Sequence, residues 1–197
     1  MAIDLAQSPN EVKTIIKGWM DSRVSNIHTA MPGRVVSYDP STNRASVQPN
    51  GDYKSEDGRN IQYPIIHNVP IQFPMGQGGT AGITFPINAG DGCLLVFSET
   101  QNDDFLGGNK GDSEDSRRHS LNDAIAIPGV YAGAAPSTVA HPGDVCVFKG
   151  GTMLRISDGS VEIMGATLTV SGDVIGGGIS LDNHTHMGVH GKASPPL

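Results

Sequence analysis

The residues of this chain whose types and spacing could do chemistry lie near its C-terminal end, in Asn183-His184-Thr185-His186-Met187-Gly188-Val189-His190. His184 and His186 are two apart, a spacing that on a β-strand sends both imidazoles to the same face. Two nitrogens leave a metal ion short of ligands, since tetrahedral zinc takes four and octahedral iron, cobalt or nickel takes six. The remainder must come from His190 and a distant carboxylate of the same chain, or from the same pair on other chains. Three chains around a three-fold axis would supply six imidazoles in an octahedron, which suits ferrous iron better than zinc. The bland alternative is a pair of solvated histidines in a polar tail.

Other chemistry is weaker. Cys93 and Cys146 sit in apolar, strand-like surroundings without metal or redox spacing, and read as buried free thiols. Asn102 to Ser116 carries Asp103, Asp104, Asp112, Glu114 and Asp115 among glycines. The spacing does not follow an EF-hand, so the stretch reads as a solvated loop whose acids could pair with Arg117, Arg118 and His119. There is no Gly-x-Ser-x-Gly and no carboxylate pair in a recognisable setting. The chain is therefore expected not to be an enzyme. The enzymatic alternative is a His-ligated metal with an open coordination position, against which stands the narrow segment before the histidines, with no room for a pocket.

That segment must position them. From Asp144 to Leu181 short alternating stretches are broken by glycine: Val145 to Phe148, Met153 to Ile156, Val161 to Met164, Ala166 to Val170, Val174-Ile175 and Ile179 to Leu181. The expected inward set is Leu154, Ile156, Val161, Ile163, Leu168, Val170, Ile179 and Leu181, all aliphatic. A ribbon of roughly 40 residues with one aliphatic row cannot bury enough surface to stand alone. Three such ribbons wound together would close every strand edge and cover every row.

The front of the chain is built differently. Ser8-Pro9-Asn10-Glu11 is a helix start with a capping box, followed by Val12, Ile15, Ile16, Trp19 and Met20 at helical spacing. That stripe packs either on its own domain or on neighbouring chains or a hub. From Gly33 the pattern turns to β: Arg34 to Tyr38 and Arg44 to Gln48 flank a turn, Asn50 to Asn60 reads as a loop or hairpin tip, and Ile65-Ile66, Val69 to Phe73, Gly82 to Ile87 and Cys93 to Ser98 read as further strands. Prolines at 64, 70, 74 and 86 keep them short or at edges. About five short strands in about 100 residues fit a small OB-fold-like barrel.

Composition agrees with modest, turn-rich domains: 197 residues, 26 glycines, 13 prolines and 5% aromatics. A net charge of −7 argues against nucleic-acid binding and against attraction to an anionic membrane. No secretory signal or membrane-spanning run is expected, so assembly in a cytoplasm is the expectation.

A glycine-broken β-stalk followed by His184-Thr185-His186 resembles the central baseplate spike proteins at the tail tip of contractile-tailed bacteriophages, and the order of parts is closest to the Mu-like spike. Gly90 to Glu99 and Asn122 to Val130 are similar to strands of the N-terminal barrel of that family. The resemblance implies a mainly β chain: an N-terminal helical segment (1–30), an OB-fold-like barrel (31–130), a linker (131–143), and an interwound trimeric β-helix stalk with a metal-bound apex (144–197). It implies His184 and His186 as ligands of one iron ion per trimer on the three-fold axis. His190 lies outside the motif, and Asp182 or Asn183 could hold a further axial ion. The function implied is a structural virion protein at the tail tip, a homotrimer joined to tail hub or baseplate proteins and driven through the host outer membrane when the tail contracts. A trimeric tail fibre or adhesin that binds a cell-surface receptor is the alternative.

Overall fold

The computed structural model describes residues 9–25, 27–55, 57–110, 115–131, 141–185, 187–188 and 191–192. The chain divides into two units, Met1–Ser137 and Thr138–Leu197.

The first unit opens with helix α1 (Pro9–Ser25). Ser8 of the expected capping box lies outside the described residues. Thr14 Oγ1 donates to the Asn10 carbonyl at 2.9 Å within the first turns. The strands that follow are β1 (Ala30–Asp39), β2 (Arg44–Pro49), β3 (Asp52–Lys54), β4 (Asn60–Gln62), β5 (Ile66–Pro70), β6 (Met75–Gly76), β7 (Ala81–Gly82) and β8 (Gly92–Phe97). A single turn of helix, α2 (Asp103–Leu106), precedes β9 (Ala124–Pro128).

Five of these strands form one antiparallel sheet in the order β5-β2-β1-β8-β9. Alternation dictates its curl. In β2, Ala45, Val47 and Pro49 face inward, and in β8 Cys93, Leu95 and Phe97 do so. Polar or half-exposed residues fill the alternate positions. A bulge between Val35 and Ser37 breaks the alternation of β1, so that Val36 and Ser37 both lie outside and Tyr38 packs against the core. The sheet curls into a half-barrel whose two edges meet at one place: Ile71 bridges Ala126 in parallel, and the Gln72 N–H donates to the Ala126 carbonyl at 2.9 Å.

The core is small. Val35, Val47, Ile66, Val69, Ile71, Phe73, Ile87, Leu95 and Phe97 supply most of its bulk, with Cys93, Ala124 and Ala126 between them. At Gly33 a methyl group would lie 2.8 Å from Val47 Cγ1 and 3.2 Å from Leu95 Cδ1, so the close approach of β1 to the core requires glycine.

Of the loop or hairpin tip expected at 50–60, the structure shows the hairpin, β3 against β4. The expected strand from Gly82 to Ile87 is corrected: beyond the two-residue pairing of β7 with β6, Ile83 to Pro86 joins no strand. Pro86 has no N–H to give a ladder, and Ile83 and Phe85 are exposed while Ile87 alone turns into the core.

The second unit contains β10 (Val145–Lys149), β11 (Thr152–Ser157), β12 (Ser160–Met164), β13 (Ile175–Gly176), β14 (Ile179–Ser180), β15 (Met187–Gly188) and β16 (Gly191–Lys192). The first three form an antiparallel meander, and β13-β14 and β15-β16 are separate hairpins. Gly177 and Gly178 connect β13 to β14 with φ of 59° and 85°, the left-handed pair that a tight two-residue turn demands. Residues 166–170, expected as a strand, form no ladder with other described residues of the chain. Leu168 and Val170 are exposed there, and a stretch without a neighbouring strand has no partner for its backbone bonds.

Candidate functional site

The second unit has apolar surface on both faces of one thin sheet. Antiparallel register sets Val147 opposite Leu154 and Leu154 opposite Ile163, and likewise Val145 opposite Ile156 and Ile156 opposite Val161. Directly opposed residues share a face, so these six aliphatic side chains make one continuous patch. Their exposure runs from 37% at Leu154 to 67% at Val161. Four of the six belong to the inward set expected from sequence. Val145 and Val147 join through register, which spacing within one strand cannot reveal.

The opposite face holds Phe148, Met153 and Met164 in one cross-strand row and Cys146, Arg155 and Glu162 in the next. Arg155 Nε donates to Asp144 Oδ2 at 2.7 Å and Nη1 to Glu162 Oε2 at 3.2 Å, which raises the guanidinium pKa. Phe148 and Met164 are exposed beside this polar strip. Cys146 is a half-buried free thiol and Cys93 a buried one, and burial pushes the Cys93 thiol up to about 11.

His184 follows β14 and is half-buried. Its backbone N–H donates to the Ser180 carbonyl at 3.1 Å, and its Nδ1 lies 2.8 Å from the Ser180 carbonyl and 3.0 Å from that of Leu181. Two carbonyl acceptors at Nδ1 require the proton there, so the lone pair lies on Nε2. Carbonyl-fixed tautomers of this kind are what metal-ligating histidines use to aim a ring nitrogen. The turn is held from behind by Asp173, whose carboxylate accepts from the Ser180 hydroxyl and from the Asp182 N–H at 3.1 Å and is thereby lowered below its ordinary pKa. His186 and His190 lie outside the described residues. Among the described residues no group of three or more His, Cys, Asp or Glu is placed to hold a metal ion.

In the first unit, the stripe on α1 does not pack on the barrel. Ile15, Ile16, Met20 and Val24 are exposed, and Trp19 is 62% exposed with the Arg23 guanidinium 5.2 Å from its ring centroid. The acidic loop after β8 is ordered at its base by a network that the sequence announced only as a chance of pairing. Arg117 bonds Asp103 Oδ2 at 2.7 Å and Asp115 Oδ2 at 3.1 Å, and its Nη1 lies 3.7 Å from Oδ1 of the fully buried Asp123. Asp123 Oδ1 also accepts from the Asn102 N–H at 3.1 Å. His119, with φ of 49°, donates its N–H to the Ser98 carbonyl and closes the loop onto the end of β8.

The half-barrel and the unit that follows it are parts of a phage structural protein. The chain belongs to the family of the phage protein Gp138 N-terminal domain, whose model matches residues 31–129, just over half of the chain. The matched residues are those of the curled sheet and its loops, and the family associates the chain with the virion. No curated protein matches the chain.

Proposed function

We propose that the chain is the trimeric spike at the tip of a contractile phage tail, a mechanical part that pierces the host outer membrane when the tail contracts. The observation that carries this reading is the exposed aliphatic face of β10-β11-β12 with a second apolar patch on its reverse. A two-fold dimer would cover one face and leave the other wet. A closed ring, in which one face of each copy meets the reverse of the next, covers both. At 1.5–3 kcal/mol for each fully buried aliphatic side chain, six that are already half-covered contribute on the order of 5 kcal/mol per copy, enough to decide whether so small a unit is folded.

The first unit supports the same reading. Its strand order, with Ile71 and Ala126 meeting in parallel at the seam, is the order of an OB-fold, and it serves as the collar that joins tail hub proteins. The interwound stalk carries force because extracting one chain would disrupt its neighbours. Near the apex the aliphatic rows end, and His184 and His186 of three copies would hold one iron ion there. Bound only by the assembled trimer, the ion stabilises it by mass action. Asp182 or Asn183 is the proposed ligand of a further axial ion. No catalytic step is assigned.

Native mass spectrometry of the untagged protein tests the reading: three chains with one ion of iron's mass are expected, and a monomer with its own metal would overturn it. Replacing His184 and His186 together by alanine should remove the metal while the barrel stays folded. Stoichiometric metal in that variant would withdraw the ligand assignment.

A further inference from the structure

Phe105 is 80% exposed, more than any other large apolar side chain among the described residues. A single exposed apolar residue is ordinary. This one sits on α2, a helical turn that is fixed from several sides. The Leu106, Gly107, Gly108 and Asn109 N–H groups donate to the carbonyls of Asn102, Asp103, Phe105 and Asp104 at 2.7 to 3.0 Å. Gln101 Nε2 donates to Asp104, and Arg117 ties Asp103 to Asp115 beside the buried Asp123. A phenyl ring held out on a stiff support loses little conformational freedom when it enters a pocket, which is the condition for an energetic anchor.

The charge of its stretch of sequence limits what that pocket belongs to. Residues 99–118 carry Glu99, Asp103, Asp104, Asp112, Glu114 and Asp115 against Lys110, Arg117 and Arg118, six acids to three bases. An anionic lipid surface repels such a loop. A second copy of the chain fits poorly as well. One cleft among the described residues that combines an arginine with apolar lining, about 380 Å³ between Arg34, Pro32, Val130 and Tyr131, opens at the Gly92 end of β8. The loop leaves from the Phe97 end, roughly 17 Å along the strand. Docking one copy's loop into another's cleft would join opposite ends of two barrels, a heterologous contact and not the self-complementary pairing of a two-fold dimer.

We infer that Phe105 is the anchor by which the barrel docks on a different protein of the phage particle, entering an apolar pocket rimmed by lysine or arginine. This rests on the chain being a component of the particle, the broader part of the function proposed above, and not on trimer, metal or membrane piercing.

The test places the photo-crosslinking residue p-benzoylphenylalanine at position 105 of the full chain in the phage that encodes it, irradiates purified particles and sequences the joined peptides. The expected product joins position 105 to another virion protein, at a peptide with lysine or arginine among apolar residues. In parallel, Phe105→Ala should lower incorporation of the chain into particles ten-fold or more while the Tm of the isolated protein stays unchanged. A crosslink to a second copy, to lipid, or to an acidic peptide would overturn the inference, as would normal incorporation of Phe105→Ala. A monomeric, metal-free protein in the mass spectrum would defeat the spike reading and leave this crosslink as it is.

Discussion

At the scale of single residues, the barrel is most sensitive where backbone meets backbone. A methyl group on Gly92 would lie 1.6 Å from the Val130 carbonyl oxygen, an atom that moves only if the strand end moves with it. Gly92→Ala should therefore cost about 3 kcal/mol or more, read as a lowered midpoint in denaturant unfolding of the barrel. His28 gives the barrel a second residue-scale property. Its ring lies 5.7 Å from the Tyr63 ring and 5.6 Å from that of Phe97, and burial lowers its pKa from 6.5. The folded state thus disfavours the imidazolium, so the unfolded chain binds more protons between the two pKa values. The stabilising effect of the neutral ring is complete above pH 6.5 and is lost as pH falls through the lower, folded value. The Tm of the barrel should drop over that window, and His28→Phe should flatten the drop.

At the scale of elements, the meander of β10, β11 and β12 is a sheet without a core of its own. Ile156 stands at the middle of the aliphatic face, opposite both Val145 and Val161. An aspartate there leaves the single chain's strand pairing intact but places an unpaired carboxylate from every copy inside the proposed interface. Ile156→Asp should weaken self-association at least a hundred-fold, seen as monomer by analytical ultracentrifugation. An equally hydrophilic change on the exposed turn, Asp158→Asn, should leave the oligomer unchanged. A monomeric wild type would refute the need for a partner.

At the scale of the molecule, the two units make different demands on their surroundings. The half-barrel has its own core and should fold alone, whereas the second unit, on the reading proposed above, is completed by other copies. The helix α1 belongs to neither core, and an isolated helix of its length is marginal in water unless its apolar face is covered. Removing residues 1–25 should leave a soluble oligomer of unchanged Tm that no longer enters particles. Normal incorporation of that truncation would show that Trp19 and its stripe do not serve assembly.

By itself the sequence determined the properties that follow from local spacing. Period-two alternation in Ala45-Val47-Pro49 and Cys93-Leu95-Phe97 marks strands because a pleated chain can turn only alternate residues inward. Glycine breaks marked the turns of the second unit, and the aliphatic row from Leu154 to Ile163 already called for a partner. What it could not determine depends on contacts between distant residues. Ile83 to Pro86 and Ala166 to Val170 have strand-like composition but no neighbouring strand among the described residues, and only the fold decides which backbone finds a ladder. Val145 and Val147 enter the apolar patch through cross-strand register. Phe105 lay hidden in a loop read for its acids, and its exposure depends on Arg117 reaching Asp103, Asp115 and the buried Asp123, a convergence set by where the loop closes on β8. The tautomer of His184 likewise comes from a turn that brings the Ser180 and Leu181 carbonyls to Nδ1. A residue's type fixes what bonds it can make, and tertiary structure decides which of them are within reach.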